Sequence, residues 1–272
     1  DCGVFRDKTG RMEGVKYFLV PNVKNFSWMT VVAAMGQMFY SLSIAMGILI
    51  TFGSYMKKET SLEDSTRNVE VFDTAIAIMA GLMIIPAVFS FSGGDPDTLQ
   101  AGPALMFITI PKVFENMGFG TVVGILFFLL VLFAAVTSSI ALTESAVSTF
   151  EDELGWSRRR ATVLVGVIMI ALGSLSSLGY GPLVGIKIIG MQFLDFFDFL
   201  TNSVMMPIAA MLTSLFVSRI VGMKRMEEEI MHGESTFRRK KIFIVMIKYL
   251  CPVFALIILI SSVANAFGWI AM

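Results

Sequence analysis

Charge is scarce in this sequence. Asp, Glu, Lys and Arg make up 15% of its 272 residues, against about 25% in ordinary soluble domains. Cysteine and histidine are scarcer. The two cysteines, Cys2 and Cys251, lie far apart, which argues against a disulfide framework or a thiolate metal site. The single histidine, His232, sits in a charged stretch, so histidine-based zinc catalysis has nothing to work with. Net charge is missing too: 21 basic residues balance 21 acidic ones. Nucleic acid would need a concentrated basic face, so it is no expected partner. The composition speaks against both a soluble enzyme and a secreted module.

What is present is apolar. Hydrophobic residues make up 56% of the chain and the mean hydropathy is +0.77. No Asp, Glu, Lys, Arg or His interrupts 25–56, 74–94, 116–143, 161–186, 199–218 or 249–272. Each run reaches the roughly 18–20 residues needed to cross a bilayer. The reading is an all-α, polytopic membrane protein with six transmembrane helices.

Basic residues orient the spans. If the first runs from outside to inside, the inner loops hold Lys57, Lys58, Arg67, Arg158–Arg160, Arg219, Lys224, Arg225, Arg238–Lys241 and Lys248. The outer segments hold Arg6, Lys8, Arg11, Lys16, Lys24, Lys112 and Lys187, half as many. The excess on one side marks it as cytoplasmic. Residues 1–28 then lie outside, with no signal peptide to carry them there, and the chain opens on Asp1. Both features suggest the C-terminal part of a larger protein.

The segments follow in order. Residues 1–28 form an extracellular segment. The run within 29–56 is too long for one upright helix, about 48 Å for 25–56 at 1.5 Å per residue against a core of about 30 Å. A break is expected at Ser41–Gly47, where hydroxyls and small residues can replace lost backbone hydrogen bonds. Residues 57–69 read as a polar cytoplasmic loop and 70–92 as the second span. Residues 93–118 are punctuated by Gly93, Gly94, Gly102, Pro103 and Pro111 and read as an extracellular lid hairpin. Further spans are expected at 119–150, 160–179, 190–221 and 241–270, with a cytoplasmic loop at 222–240.

Few residues could carry chemistry. Ala134, Thr137 and Ser138 stand at i, i+3 and i+4 on one helix face. Their oxygens could converge on a weakly charged cation such as sodium; close helix packing is the alternative. Asp73 precedes an uncharged run. It is an intramembrane functional residue if its helix is long, and an inner helix cap if not. Asp195 and Asp198 open the fifth span, either as a solvated helix start favoured by the dipole or as gating charges. Glu144, two turns beyond Thr137, is a polar anchor or a proton or ion relay, the anchor being favoured. No paired intramembrane carboxylates and no nucleophile with a base point to an enzyme.

At this point the residues resemble a family. Gly36-Gln37-Met38-Phe39-Tyr40-Ser41-Leu42-Ser43-Ile44-Ala45-Met46-Gly47, with Gly53-Ser54-Tyr55, resembles the broken sixth helix of neurotransmitter:sodium symporters. Leu132–Ala141, followed by Phe150-Glu151-Asp152-Glu153-Leu154, resembles their eighth helix. Thr98–Pro103 with Phe107–Pro111 resembles their extracellular lid. The match runs in order along nearly the whole chain and fits the bacterial, amino-acid-transporting branch best.

The resemblance implies the C-terminal part of a bacterial leucine-transporter-like inverted-repeat fold, helices six to eleven, in a bacterial plasma membrane. Ala134, Thr137 and Ser138 would form half of one sodium site. Ser41 and Asp73 would contribute to another. Tyr40 would cover the substrate, and Ser43, Ala45, Met46 and Leu142 would line an amino acid pocket. Asp198 would belong to the outer gate, Tyr55 and Asp152 to the inner gate. Sodium is the coupling ion, with no other cofactor. Two positions depart from the family pattern. Asp73 stands where many members have Asn, so its carboxylate could supply the negative charge that chloride supplies elsewhere. Ala45 stands where Gly is usual. Helices one to five are expected to be absent, with their half of each site, so the chain alone is expected not to transport. Tyr40, Met46 and Leu142 suggest a hydrophobic or aromatic amino acid. An ion channel or pore subunit is the competing function.

Overall fold

The computed structural model describes residues 12–21, 23–92, 104–115, 117–233 and 236–269. Helix α1 covers 12–19, α2 Trp28–Ser41, α3 Ile48–Ser54 and α4 Leu62–Ser92. Helix α5 is Ile110–Glu115, preceded by a π turn over Leu105–Thr109. Then come α6, Gly120–Leu154; α7, Arg158–Gly179; α8, Phe193–Val221; α9, Met223–Ile230; and α10, Lys240–Ala266.

Five helices among the described residues are long and apolar enough to cross a membrane: α4 over Leu62–Ser90, α6, α7, α8 and α10. The first expected span is present as two shorter pieces, α2 and α3. The most apolar stretch of α6 has no buried residue. Such a face would be an aggregation hazard in water and is ordinary in hydrocarbon.

Several expected boundaries shift. The 57–69 segment is not all loop, because α4 starts at Leu62. Ser61 caps it by accepting the Asp64 N–H at 3.0 Å, with Glu63 and Asp64 in the positive first turn. The segment 1–28, expected outside, contains α1, and 222–240, expected as an inner loop, contains α9. Residues 93–103 and 116 of the lid hairpin lie outside the described residues; the rest is helical from Leu105 to Glu115.

The chain divides into two compact units. One comprises the described residues up to Phe26 together with Glu70–Ser138. Here α1 lies close on α4: a Cβ at Gly14 would stand 2.6 Å from the Pro86 backbone, and the Phe18 ring covers Gly81. The rings of Tyr17 and Phe89 meet at 5.0 Å. Helix α5 packs on α6 through Phe114 and Phe127, at 5.4 Å.

The second unit comprises Ser27–Val69 and Ser139–Met272. The inner end of α6 packs on α7 through Val147, Ala161 and Val165, and Phe150 stacks on Trp156 across the turn. Helix α8 packs along α10, with Ala210, Ser214, Ala255 and Ile258 buried. Small residues let the two backbones approach.

Proline governs the form of the later helices. Pro111, Pro207 and Pro252 each follow a π turn that ends two residues earlier, over Leu105–Thr109, Phe199–Met205 and Met246–Leu250. In each, the residue before proline reaches back five positions: Ile110 to Leu105, Met206 to Thr201, Cys251 to Met246. A proline ring has no N–H and collides with the preceding turn; widening that turn relieves the crowding. One carbonyl is left over. The Cys251 N–H serves Met246 and Pro252 has none to give, so Ile247 lacks a donor from its own helix. The buried Ser214 hydroxyl of α8 donates to the Ile247 carbonyl.

The break between α2 and α3 is equally specific. Helix α2 starts with a reciprocal cap: the Ser27 hydroxyl accepts from the Thr30 N–H and the Thr30 hydroxyl from the Ser27 N–H. It ends in a left-handed residue, Ser43, at φ 54°. The Ser43 N–H bonds the Tyr40 carbonyl at 3.0 Å and the Ile44 N–H bonds the Phe39 carbonyl at 3.0 Å. This is the Schellman pattern that closes a helix, with serine at the usual glycine position. Ala45 at φ 63° and Gly47 at φ 80° are also left-handed, and α3 then begins.

Two stability measurements check these points. Gly47→Ala faces a left-handed cost of about 1–2 kcal/mol, and its Cβ would lie 2.6 Å from the Ser145 hydroxyl of α6. It should lower the Tm in detergent, and Ser145→Ala in the same chain should recover only part of the loss. Ser214→Ala should cost about 1 kcal/mol by leaving a buried carbonyl bare. The cost should shrink in a Pro252→Ala background, where an N–H becomes available.

Candidate transport site on the broken helix and helix α6

The break brings five of the sequence-derived residues into one short segment. Tyr40 and Ser41 close α2, and Ser43, Ala45 and Met46 lie in the left-handed linker. Three left-handed residues in five positions turn the backbone out of its helical ladder. Orphaned carbonyls at the end of α2 and orphaned N–H groups at the start of α3 are then available within one segment. Ala45 occupies a conformation in which a Cβ costs energy.

The part of α6 from Ser139 onward faces this segment within the same unit. A Cβ at Gly47 would stand 2.6 Å from Ser145 Oγ, and Leu142 lies one turn before Ser145 on that face. The buried Thr51 of α3 sets its hydroxyl 3.4 Å from Ser145 Oγ and 3.3 Å from Ser148 Oγ. The inner half-helix is thereby tied to α6 by hydroxyls.

In the other unit, the Thr137 hydroxyl donates to the Ala134 carbonyl at 2.9 Å. Its hydrogen is thus occupied while its lone pairs stay free. Ala134, Thr137 and Ser138 share one face of an unbroken helix, and all three are exposed in this chain. Asp73 is the twelfth residue of α4, about 16 Å from its start at 1.5 Å per residue. It therefore caps no helix end, and the inner-cap alternative is removed.

The inner end of the second unit holds a charged cluster that the sequence only partly disclosed. Tyr55, just past α3, donates its hydroxyl to Glu144 Oε1 at 2.7 Å. Arg158, opening α7, donates to Glu144 Oε2 at 2.5 Å and to Glu151 Oε2 at 3.3 Å. Glu144 therefore uses both oxygens to join three helices, which is the anchor of the two readings. Its side chain is 19% exposed and that of Arg158 59%, so water and salt screen the pair. Arg158 was legible in the sequence only as one of three orienting arginines. Asp152, expected at the inner gate, is exposed, and its side chain has no ion pair among the described residues.

At the outer end, Asp198 is exposed and accepts from Asn202 Nδ2 at 2.5 Å, one turn along α8. Asn202 is a neighbour the sequence reading missed, although the i, i+4 spacing was visible.

The comparisons agree with this architecture. A family model described as "Sodium:neurotransmitter symporter family" matches residues 5–268. The chain is 33% identical over 226 residues to the uncharacterised sodium-dependent transporter YhdH of Bacillus subtilis, covering 83% of this chain and 49% of that protein. It is 32% identical over 254 residues to an uncharacterised sodium-dependent transporter of Haemophilus influenzae, covering 93% and 54%. The crystal structure of MhsT in complex with L-phenylalanine superposes with a TM-score of 0.80 at 33% identity, covering 96% of this chain and 58% of MhsT. The chain spans about half the length of the curated relatives it matches. A matched family model over nearly the whole chain, on a backbone of the same fold, makes it a multi-pass membrane protein of the sodium:neurotransmitter symporter family.

Proposed function

We propose that the chain is part of a sodium-coupled symporter, working by alternating access, for a hydrophobic or aromatic amino acid. The observation that carries this reading is the left-handed break at Ser43–Gly47, seated against α6. It opens backbone polar groups in the middle of an apolar segment. Broken helices of this kind bind the charged groups of a substrate and the coupling ion near the bilayer midplane.

The ion ligands in this reading are neutral or singly charged oxygens. The Ala134 carbonyl and the Thr137 and Ser138 hydroxyls hold one sodium; Ser41 and Asp73 contribute to a second. Such ligands suit a monovalent ion that must leave again. Tyr40 covers the amino acid, and Ser43, Ala45, Met46 and Leu142 line its pocket. The phenylalanine bound by MhsT supports an aromatic substrate here. Sodium and substrate stabilise each other's binding through a shared coupling free energy, which lets the sodium gradient drive uptake.

Gating follows from the ends of the bundle. Tyr55, held by Glu144 and Arg158, ties α3 to α6 and α7 on the inner side, and Asp152 adds a carboxylate there. Asp198 serves the outer side. Alternate opening of the two ends moves the site from one face to the other.

Two measurements test the reading. Labelled L-phenylalanine should bind the intact full-length protein in sodium and not in potassium, and Thr137→Val should raise the sodium requirement at least tenfold while the fold survives. Saturable binding that ignores sodium would overturn the symporter. Transport should also need no chloride, because Asp73 supplies a fixed negative charge. Asp73→Asn should leave uptake low or chloride-responsive; undiminished chloride-free uptake in that variant would remove this role of Asp73.

A further inference from the structure

We propose that the basic run Arg238-Arg239-Lys240-Lys241 is a binding site for the headgroup of an anionic phospholipid in the inner leaflet. Four consecutive cationic residues stand immediately before the apolar body of α10. All four are exposed. They lie on the side that the excess of basic residues marks as cytoplasmic.

The run is held in place. The Arg238 N–H donates to Glu63 Oε2 at 3.1 Å, which ties it to the start of α4. Lys240 pairs with Glu227 of α9. The rings of Phe237 and Phe243 bracket the four charges and meet edge to face at 5.6 Å. The two rings add apolar area beside the cations at the mouth of the span.

Two charges of the run, the Arg238 guanidinium and the Lys241 ammonium, have no ion pair among the described residues; Glu227 answers Lys240. Arg239–Lys241 also open a helix, where the backbone dipole repels cations. An outside anion at membrane depth removes both costs. A phospholipid phosphate is the anion concentrated there, and polybasic segments next to a span attract anionic lipid. The site is independent of the proposed substrate and ion sites.

The experiment is lipid retention on the purified protein, read by native mass spectrometry in mixed phosphatidylglycerol and phosphatidylcholine. The wild type should keep phosphatidylglycerol preferentially, and that preference should weaken with added salt. Arg238→Gln with Lys241→Gln leaves the Glu227 pair intact. It should lower the preference about fivefold for each charge removed. Lys224→Gln with Arg225→Gln, on the same side but outside the run, should leave it unchanged. As a second reading, phosphatidylglycerol should raise the Tm of the wild type and not that of the Arg238/Lys241 variant. Equal retention by wild type and the Arg238/Lys241 variant would overturn the proposal. So would an equal loss in the Lys224/Arg225 control, or displacement of the lipid by millimolar inorganic phosphate.

Discussion

Hydrocarbon offers no water to a backbone N–H or carbonyl that loses its helical partner. Every departure from a helix at membrane depth must therefore be answered by another group. This constraint organises the later half of the molecule. Pro252 removes a donor, the preceding turn widens to a π helix, and the Ser214 hydroxyl reaches from α8 to the bare Ile247 carbonyl. The contact is part of the α8–α10 packing. At the first span the exception is larger: six residues leave the helix between Ser41 and Ile48. A Schellman closure satisfies part of that segment, and three left-handed residues carry the chain on to α3.

The open segment is useful only if something rigid stands beside it. Helix α6 is that element, 35 residues without interruption. It meets the break at Gly47, the inner half-helix at Thr51, and Tyr55 through Glu144. These contacts recur along its inner half, so a shift of α3 changes the Thr51 hydroxyl contacts and the Tyr55 hydrogen bond together. Linkage of this kind makes the inner half-helix and the Tyr55 contact respond as one unit. Because the Glu144–Arg158 pair is partly solvated, breaking it exchanges protein partners for water at modest cost. A deeply buried pair would resist such cycling.

Much of this was legible in the sequence because it depends on local properties. An uncharged run announces a span, a basic loop announces a side, and Ser41–Gly47 announced the break through small residues and hydroxyls. The start of α4 was also legible in principle, since Ser61 and Asp64 have capping spacing; the polarity of 57–69 masked it. The π turns were harder. Proline predicts a disturbed helix, but the choice between a kink and a widened turn depends on which neighbour can take the spare carbonyl.

Sequence alone thus determined the membrane class, the order of spans, the site of the break and the family resemblance, since each rests on residue type and short-range spacing. Only the tertiary structure decided which polar groups meet. Tyr55 and Glu144 lie 89 positions apart, Ser214 and Ile247 33 apart, and Arg238 and Glu63 175 apart. Nothing in hydropathy or spacing encodes those pairings. They form because packed helices bring an unpaired donor and an unpaired acceptor to the same place, where leaving either one bare would cost more than joining them.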